Sequence, residues 1–164
     1  QRALGERYSG RRILIPRILF LIILKDSPNM DAGTVTVKDD PRVLPFGKFL
    51  RKTKINELPQ LLNVMSGDMS FVGPRPQVEW DVELYTDEEQ AILSVRPGIT
   101  DYASIKFHNE GEILLGSKNP DETYVEKIRP EKIRLQLKYV RSHNLWIDMK
   151  ILFQTLLLLF KTIW

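Results

Sequence analysis

The residues best suited to phosphate chemistry occur in four short groups. Asn56-Glu57 follows several cations and is predicted to begin a helix, where unpaired backbone N–H groups favour an anion. Gly67-Asp68 offers a carboxylate after a turn, and Arg75 lies between two prolines that stiffen its backbone. Arg96-Pro97 is a second basic turn. Each group alone is more often structural, as a cap, a turn or an ion pair. Together they favour a phosphate-rich substrate and a metal held by carboxylate.

The composition excludes other kinds of site. The 164 residues include no cysteine, which excludes a disulfide framework, a thiolate zinc site and a cysteine nucleophile. The two histidines, His108 and His143, are too far apart in sequence to suggest a multi-histidine metal site. The sequence has no P-loop motif and neither of the common hydrolase signatures, G-x-S-x-G and H-E-x-x-H. With 43% hydrophobic and 27% charged residues, the chain fits one domain with a buried core.

Charge is arranged in three blocks along the chain. Residues 1–54 carry 12 Lys/Arg and 5 Asp/Glu, residues 55–130 carry 6 and 14, and residues 131–164 carry 6 and 2. Basic ends around an acidic middle suit an anionic surface at the ends and metal or phosphate chemistry between them, although charge varies along any soluble chain. The basic blocks are interleaved with long aliphatic residues rather than aromatic ones, so we expect lipid and not nucleic acid as a partner.

Apolar spacing and end signals predict the elements that position these groups. Helices are expected at 46–53, from Asn56 to a stop at Gly67, from Asp87 behind a Thr86 cap, at 129–142, and from Leu145 onward; strands are expected at 34–38 and 69–72. We therefore expect an α/β (α+β) fold that is mostly helical around a small sheet.

The last predicted helix is the most hydrophobic part of the chain. Trp146 and Trp164 bracket it, and Lys150 and Lys161 lie within it. Indole rings prefer the headgroup layer of a membrane, and lysine side chains can extend to that layer. The helix could therefore lie in the membrane interface, or it could be a core or dimer helix. No uncharged apolar run reaches the roughly 20 residues that span a bilayer.

The first residues differ in character from the rest. Residues 1–24 form a basic and apolar segment, and residues 25–164 are expected to form the main domain. The apolar run 13–24 is compatible with a buried strand, a core helix or a membrane-dipping segment. Because no initiator Met or small-residue cleavage site is present, the chain is expected to begin inside a longer reading frame.

A long signature within the main domain carries a family resemblance. The stretch from Leu50 to Pro76, which includes I-N-E-L-P-Q-L-L-N-V-M-S-G-D-M-S-F-V-G-P-R-P, resembles the central signature of the bacterial sugar transferases. These are the monotopic polyprenol-phosphate phosphoglycosyl transferases. Three shorter elements agree in order with that family: D-P-R at 40–42 with Gly47-Lys48, R-P-G-I-T at 96–100, and W-I-D-M-K-I at 146–151.

The resemblance implies a reaction and its participants. A nucleotide-diphosphate sugar, typically a UDP-sugar, gives its sugar phosphate to a membrane polyprenyl phosphate, which starts assembly of a cell-surface glycan. The resemblance also implies Mg²⁺ as the cofactor and a location at the cytoplasmic face of the bacterial inner membrane. Whether the protein forms an oligomer is left open. In the family an Asp-Glu pair supplies the nucleophile and a metal ligand, and here that pair is Asn56-Glu57. The candidate phosphate ligands are Arg42, Arg51, Arg75 and Arg96, and the candidate metal ligands are Glu57 and Asp68.

Two departures from the family pattern leave alternatives open. Asn56 occupies the position of the nucleophilic Asp, and a neutral amide is a poor nucleophile and a weak magnesium ligand. The chain could be inactive, could use Glu57 as nucleophile, or could transfer directly. The family's K-F-[RK]-[ST]-M element before Lys25 is also missing. A catalytically impaired homologue that binds membrane or nucleotide sugar is the first alternative function, and a soluble α/β domain whose apolar ends pack together is the second.

Overall fold

Helices dominate the part of the chain that the computed structural model describes, which is residues 6–8, 11–13, 43–52, 57–58, 60–77, 79–115 and 117–163. The helices are α1 (Pro45–Lys52), α2 (Gln60–Met65), α3 (Glu79–Glu83), α4 (Tyr102–Lys106), α5 (Glu110–Ile113), α6 (Pro120–Thr123), α7 (Arg129–Ser142) and α8 (Leu145–Ile163). A 3₁₀ helix spans Glu89–Ser94, and a π turn at Tyr124–Ile128 joins α6 to α7. The strands are β1 (Glu6–Tyr8), β2 (Arg11–Ile13), β3 (Ser70–Val72) and β4 (Gly98–Thr100). The expected mostly helical α/β fold is confirmed.

Strands β3 and β4 form a two-stranded parallel sheet at the centre of the domain. Ser70 pairs with Gly98, and Val72 pairs with Thr100. The two backbones approach so closely that a Cβ atom on Gly98 would lie 2.1 Å from the backbone nitrogen of Gly73. Glycine is therefore required at position 98 for this pairing. Strands β1 and β2 form a separate antiparallel hairpin, with Glu6 opposite Ile13.

Helix α7 packs against the sheet and organises the core. Its residue Ile133 joins the buried cluster of Met69, Tyr85 and Ile92, and its residue Tyr139 joins a second cluster with Val72 and Ile151. Each fully buried aliphatic side chain contributes roughly 1.5–3 kcal/mol to folding. A third cluster, Leu114, Tyr124 and Ile128, lies around the π turn that leads into α7.

Helix α8 has one buried side and one exposed apolar side. Ile151 is fully buried against β3 and α7, whereas Trp146 is 86% exposed. The other large apolar side chains exposed on this helix are Leu145, Met149, Phe153, Leu156, Leu157 and Phe160. The 19-residue helix is about 30 Å long. Among the described helices, none is both long and apolar enough to cross a bilayer.

Several predicted elements are confirmed. Helix α7 has the predicted bounds, α8 begins at Leu145, and β3 falls within 69–72. Helix α1 is shifted by one residue from the predicted 46–53. Gly67 follows α2 with a φ of 81°, the left-handed conformation expected of a helix stop. The predicted strand at 34–38 lies outside the described residues, as does the apolar run after Ile13.

Two predicted helices begin later than expected. The helix predicted from Asn56 begins at Gln60, and Glu57 instead lies in a 3₁₀ turn. The physical reason is that Leu58 precedes a proline, which disfavours α-helical backbone at the residue before it. The helix predicted from Asp87 is the six-residue 3₁₀ helix beginning at Glu89.

The Thr86 cap is nevertheless present. The backbone N–H of Glu89 donates to Thr86 Oγ1 (3.3 Å), and the N–H of Thr86 donates to Glu89 Oε2 (2.9 Å). This reciprocal pair fixes the start of the turn. The run that follows ends after six residues, where Val95 adopts an extended backbone.

Candidate active site

Backbone hydrogen bonds join two proline-containing segments, the Gly73–Pro76 loop and the turn at Arg96-Pro97. Gly98 N donates to Pro74 O (3.1 Å), Gly73 N donates to Thr100 O (3.0 Å), and Ser70 N donates to Pro97 O (2.8 Å). These bonds extend the β3–β4 pairing into the Gly73–Pro76 loop. The start of the loop is therefore held against β4, which positions the backbone that leads to Arg75.

Arg75 and Glu57 form a two-pronged ion pair, although they are 18 residues apart. Arg75 Nη1 donates to Glu57 Oε2 (3.2 Å), and Arg75 Nη2 donates to Glu57 Oε1 (3.1 Å). Arg75 Nη1 also donates to the carbonyl oxygen of Ile99 at the centre of β4 (3.2 Å). Burial lowers the pKa of Arg75, but the adjacent Glu57 carboxylate outweighs that effect and the pKa is raised above its usual value. The guanidinium therefore stays charged and has a fixed orientation.

The main chain of Arg75 is also fixed from a second direction. Gln77 Nε2 donates to the Arg75 carbonyl (3.2 Å), and Gln136 Nε2 of α7 reaches the same carbonyl at 3.5 Å. Tyr124 has a single O–H, which donates to the buried carboxylate of Asp81 (3.0 Å) and also lies 3.3 Å from Gln77 Oε1. The position of Arg75 thus depends on a polar network that extends into the core.

Asp81 is the centre of that buried network. Arg129 Nε donates to Asp81 Oδ1 (2.5 Å), and the Arg129 guanidinium lies over the ring of Tyr85. Burial and the negative charge of Asp81 raise the pKa values of Tyr85 and Tyr124. Both phenols therefore remain protonated, and Tyr124 remains a hydrogen-bond donor to Asp81.

Glu57 and Arg75 lie on a cleft of about 680 Å³, within the size range of small-molecule sites. Its other polar lining residues come from β4, the α4–α5 region, α7, α8 and the Arg75 loop: Gln77, Thr100, Asp101, Ser104, His108, Glu110, Lys132, Gln136 and Thr155. Its apolar lining residues come from both sides of the opening, and include Leu58, Leu61, Leu158 and Leu159. Thr100, Asp101 and Gln136 are buried, whereas Leu58 and Leu61 are exposed, so the cleft has buried polar groups in its interior and leucines at its rim.

The structure brings some of the predicted site residues together and leaves others apart. Arg75 and Glu57 share the cleft. Arg96 is exposed and does not line it. Asp68 lies in the turn after α2, where Ser66 Oγ donates to its Oδ2 (2.7 Å), and it does not line the cleft either. Asn56 and Arg42 lie outside the described residues, as does the side chain of Arg51.

Sequence reasoning did not find the cleft residues on α4, α5 and α7. Asp101 accepts a bond from Ser104 N (2.6 Å) and caps α4, so the Asp-x-x-Ser spacing was the signal that could have found it. Lys132 Nζ pairs with Glu110 Oε2 (2.5 Å), a contact between α7 and α5 that has no local signature. Gln136 is almost fully buried, and an amide on a helix gives no sign of which pocket it lines.

Sequence comparison assigns the chain to a family. Residues 18–162 match the family model described as Bacterial sugar transferase. The chain belongs to the bacterial sugar transferase family. The matched residues include the Leu50–Pro76 signature and the turn at 96–100. In the structure, backbone hydrogen bonds join this turn to β3 and to the loop that contains Arg75.

Curated relatives align with most of this chain. It is 36% identical over 119 residues to the undecaprenyl-phosphate galactose phosphotransferase of Salmonella typhimurium, covering 73% of this chain and 22% of that protein. It is 36% identical over 135 residues to the UDP-glucose:undecaprenyl-phosphate glucose-1-phosphate transferase of Escherichia coli, covering 80% and 27%. It is 37% identical over 123 residues to the exopolysaccharide production protein ExoY of Sinorhizobium fredii, covering 75% and 47%. The chain thus spans less than half the length of each of these relatives.

Proposed function

We propose that this chain is a catalytic domain that transfers a sugar phosphate from a nucleotide-diphosphate sugar, of the UDP-sugar type, to a membrane polyprenyl phosphate. The transfer would start the assembly of a cell-surface polysaccharide or glycoconjugate. The names of the sugar phosphotransferases to which the chain is similar support this proposal. The observation that carries it is the Arg75–Glu57 pair on a cleft with a polar interior and an apolar rim.

Arg75 is placed to bind the diphosphate of the donor. A guanidinium has five N–H donors, and three of those on Arg75 are used by Glu57 and Ile99. Two N–H groups therefore remain for phosphate oxygens, and the side chain is 44% exposed on the cleft. Charge-assisted bonds from arginine to phosphate are short and directional, so the fixed fork would set the orientation of the diphosphate.

The apolar rim fits an acceptor that arrives from a membrane. A polyprenyl phosphate has an anionic head on a long hydrocarbon chain, so it needs a polar site that opens onto an apolar surface. Leu158 and Leu159 of α8 line the cleft, and the exposed apolar side of the same helix continues from there. Trp146 and the lysines of α8 suit the headgroup layer. We therefore place α8 in the interface at the cytoplasmic face of the bacterial inner membrane.

Glu57 is the described residue that best fits a magnesium ligand. Mg²⁺ is usually bound by one or two carboxylates together with substrate phosphates. Glu57 meets this requirement because its carboxylate lies beside the arginine that would hold those phosphates. Within the described ranges, no three His, Asp or Glu side chains are close enough to hold a metal, so donor phosphates would complete the coordination. The ion would supply neutralisation of charge on the reacting phosphates.

In the proposed transfer the bond between the two phosphates of the donor breaks, the nucleoside monophosphate leaves, and a new P–O bond forms to the acceptor. Arg75 would hold the diphosphate, and Glu57 would keep the guanidinium in place. The residue beside Glu57 is Asn56, which has no anionic oxygen with which to attack phosphorus. This substitution favours a second candidate function, in which the chain binds nucleotide sugar at the membrane with impaired transfer.

Binding and transfer can be separated in one experiment. The chain is mixed with anionic vesicles, UDP-glucose or UDP-galactose, and magnesium, with and without undecaprenyl phosphate. Labelled sugar that moves into the lipid extract supports the transferase. Magnesium-dependent binding without transfer supports the impaired homologue. Absence of both binding and transfer would contradict both candidates.

A further inference from the structure

Three buried polar atoms on the cleft have no hydrogen-bond partner among the described residues. They are Asp101 Oδ2, Ser104 Oγ and Gln136 Oε1. Asp101 is 0% exposed and Gln136 is 1% exposed, and all three residues line the same cleft as Arg75. Buried polar groups are normally satisfied, and leaving one unpaired costs free energy. Three such atoms on one cleft indicate a ligand that supplies matching groups.

Asp101 and Gln136 each use one polar side-chain atom in a hydrogen bond within the protein and leave the other polar atom without a partner in the described part of the chain. Asp101 Oδ1 accepts the bond from Ser104 N that caps α4, which leaves Oδ2 available. Gln136 Nε2 points to the Arg75 carbonyl, which leaves Oε1 available. Asp101 also follows β4, whose Ile99 carbonyl accepts from Arg75. Both side chains therefore lie beside the proposed phosphate-binding arginine.

The hydrogen-bonding chemistry of these three atoms indicates which part of the nucleotide-diphosphate sugar they would bind. A carboxylate oxygen and an amide oxygen accept hydrogen bonds, and a serine hydroxyl can donate or accept. The anionic Asp101 would repel a phosphate, whereas a neutral group with several hydrogen-bond donors suits all three atoms. Vicinal hydroxyls meet this requirement, as in the acidic residue that binds ribose hydroxyls in dinucleotide sites.

We propose that Asp101, Ser104 and Gln136 form a hydroxyl-binding subsite for the donor, next to the diphosphate held by Arg75. This inference rests on the proposed function, because it takes a nucleotide-diphosphate sugar as the ligand. The hydroxyls belong either to the transferred pyranose or to the ribose, which share the same chemistry. The subsite would orient the donor and would contribute to its affinity.

The variant Asp101→Asn tests the subsite with little change in structure. Asparagine caps helices as well as aspartate and can keep the bond from Ser104 N. The substitution replaces the available anionic acceptor with an amide N–H₂ and removes a negative charge near Arg75. A hydroxyl ligand therefore loses a charge-assisted bond, whereas a ligand made only of phosphate gains from the loss of repulsion.

Three probes separate the sources of the hydroxyls: pyrophosphate, UDP and UDP-glucose, each titrated with magnesium by calorimetry. We expect Asp101→Asn to leave pyrophosphate binding unchanged or tighter and to weaken UDP-glucose binding about tenfold. Weakening confined to UDP-glucose assigns the subsite to the pyranose, and equal weakening of UDP assigns it to the ribose. Either result supports the proposal, and unchanged binding of both overturns it.

A second variant and a surface control guard against a loss of folding. Gln136→Met removes the amide while keeping a similar side-chain volume, and it should weaken the same probe as Asp101→Asn. Asp87→Asn makes the same acid-to-amide change at an exposed position outside the cleft and should leave all three affinities unchanged. If the unmodified chain binds none of the probes, the proposed function fails together with the subsite. If it binds them and neither cleft variant changes affinity, only the subsite fails.

Discussion

Replacing Arg75 with alanine should weaken binding of a nucleotide-diphosphate sugar by about tenfold to a hundredfold. The two guanidinium N–H groups not used by Glu57 and Ile99 can each contribute about 1.5–3 kcal/mol to a phosphate. Arg75 is 44% exposed, so solvent screening reduces these values. Taking about half of the sum leaves roughly 1.5–3 kcal/mol, and each 1.4 kcal/mol corresponds to a factor of ten in affinity.

The assay is calorimetric titration with UDP-glucose and magnesium, with thermal unfolding as the check on folding. Arg75→Lys keeps the charge but loses the planar fork, so its affinity should lie between those of the unmodified chain and Arg75→Ala. Arg141→Ala is the matched control, because Arg141 forms an exposed ion pair with Glu88 and does not line the cleft. Arg75→Ala with unchanged melting temperature and unchanged affinity would refute the assignment of Arg75 to phosphate.

Three further outcomes follow from the same structure and sequence. Asn56→Asp should form a covalent phosphosugar adduct that the unmodified chain forms little or not at all, and Glu57→Gln should abolish metal-dependent activity in either background. Trapping of labelled sugar phosphate on the protein measures the adduct. An adduct on Glu57 of the unmodified chain would instead make Glu57 the nucleophile. Trp146→Ser together with Phe153→Ser should reduce flotation with anionic vesicles at low salt, and undiminished flotation would contradict the interfacial position of α8. Tyr139→Phe should cost about 1–2 kcal/mol in urea unfolding at pH 7, because the phenol O–H donates to Asp148 Oδ1 (2.9 Å) and lies within hydrogen-bond distance of Val72 O (3.2 Å).

The pH dependence of the Tyr139 effect has a definite sign. Burial and the bond to Asp148 raise the pKa of Tyr139 in the folded chain. The unfolded chain therefore ionises first, near the ordinary tyrosine value of about 10. The stabilisation is complete below that pH and is lost as pH rises toward the folded pKa. The stability difference between the unmodified chain and Tyr139→Phe should therefore shrink above pH 10, and a difference that grows there would contradict the argument.

The parts of the fold that were predictable depend on local signals. Apolar residues at helical spacing, including Ile133 and Leu137, identified α7 with its observed bounds. Gly67 identified the end of the α2 region because a positive φ is accessible to glycine. The N-cap signal of Asn56 predicts too early a start for α2, because the proline after Leu58 disfavours α-helical backbone at Leu58.

The geometry of the site depends on contacts between distant residues, which periodicity does not reveal. The motifs indicate Glu57 and Arg75 separately, but the bidentate pair joins the turn before α2 to the loop after β3, and no local pattern predicts that contact. Gln136 lies 61 residues after Arg75 in the chain and reaches the cleft from α7. Its role could be recognised only when its burial and its hydrogen bonds were known.

The proposed reaction of this cleft is the transfer of a sugar phosphate to a lipid phosphate. The most direct measurement is the amount of label from a UDP-sugar recovered in the lipid extract of vesicles containing undecaprenyl phosphate. The unmodified chain and Asn56→Asp are compared side by side. We expect magnesium-dependent labelled lipid, at its highest with Asn56→Asp and absent when Glu57→Gln is added. No labelled lipid from either protein, with both of them folded and bound to the vesicles, would contradict it.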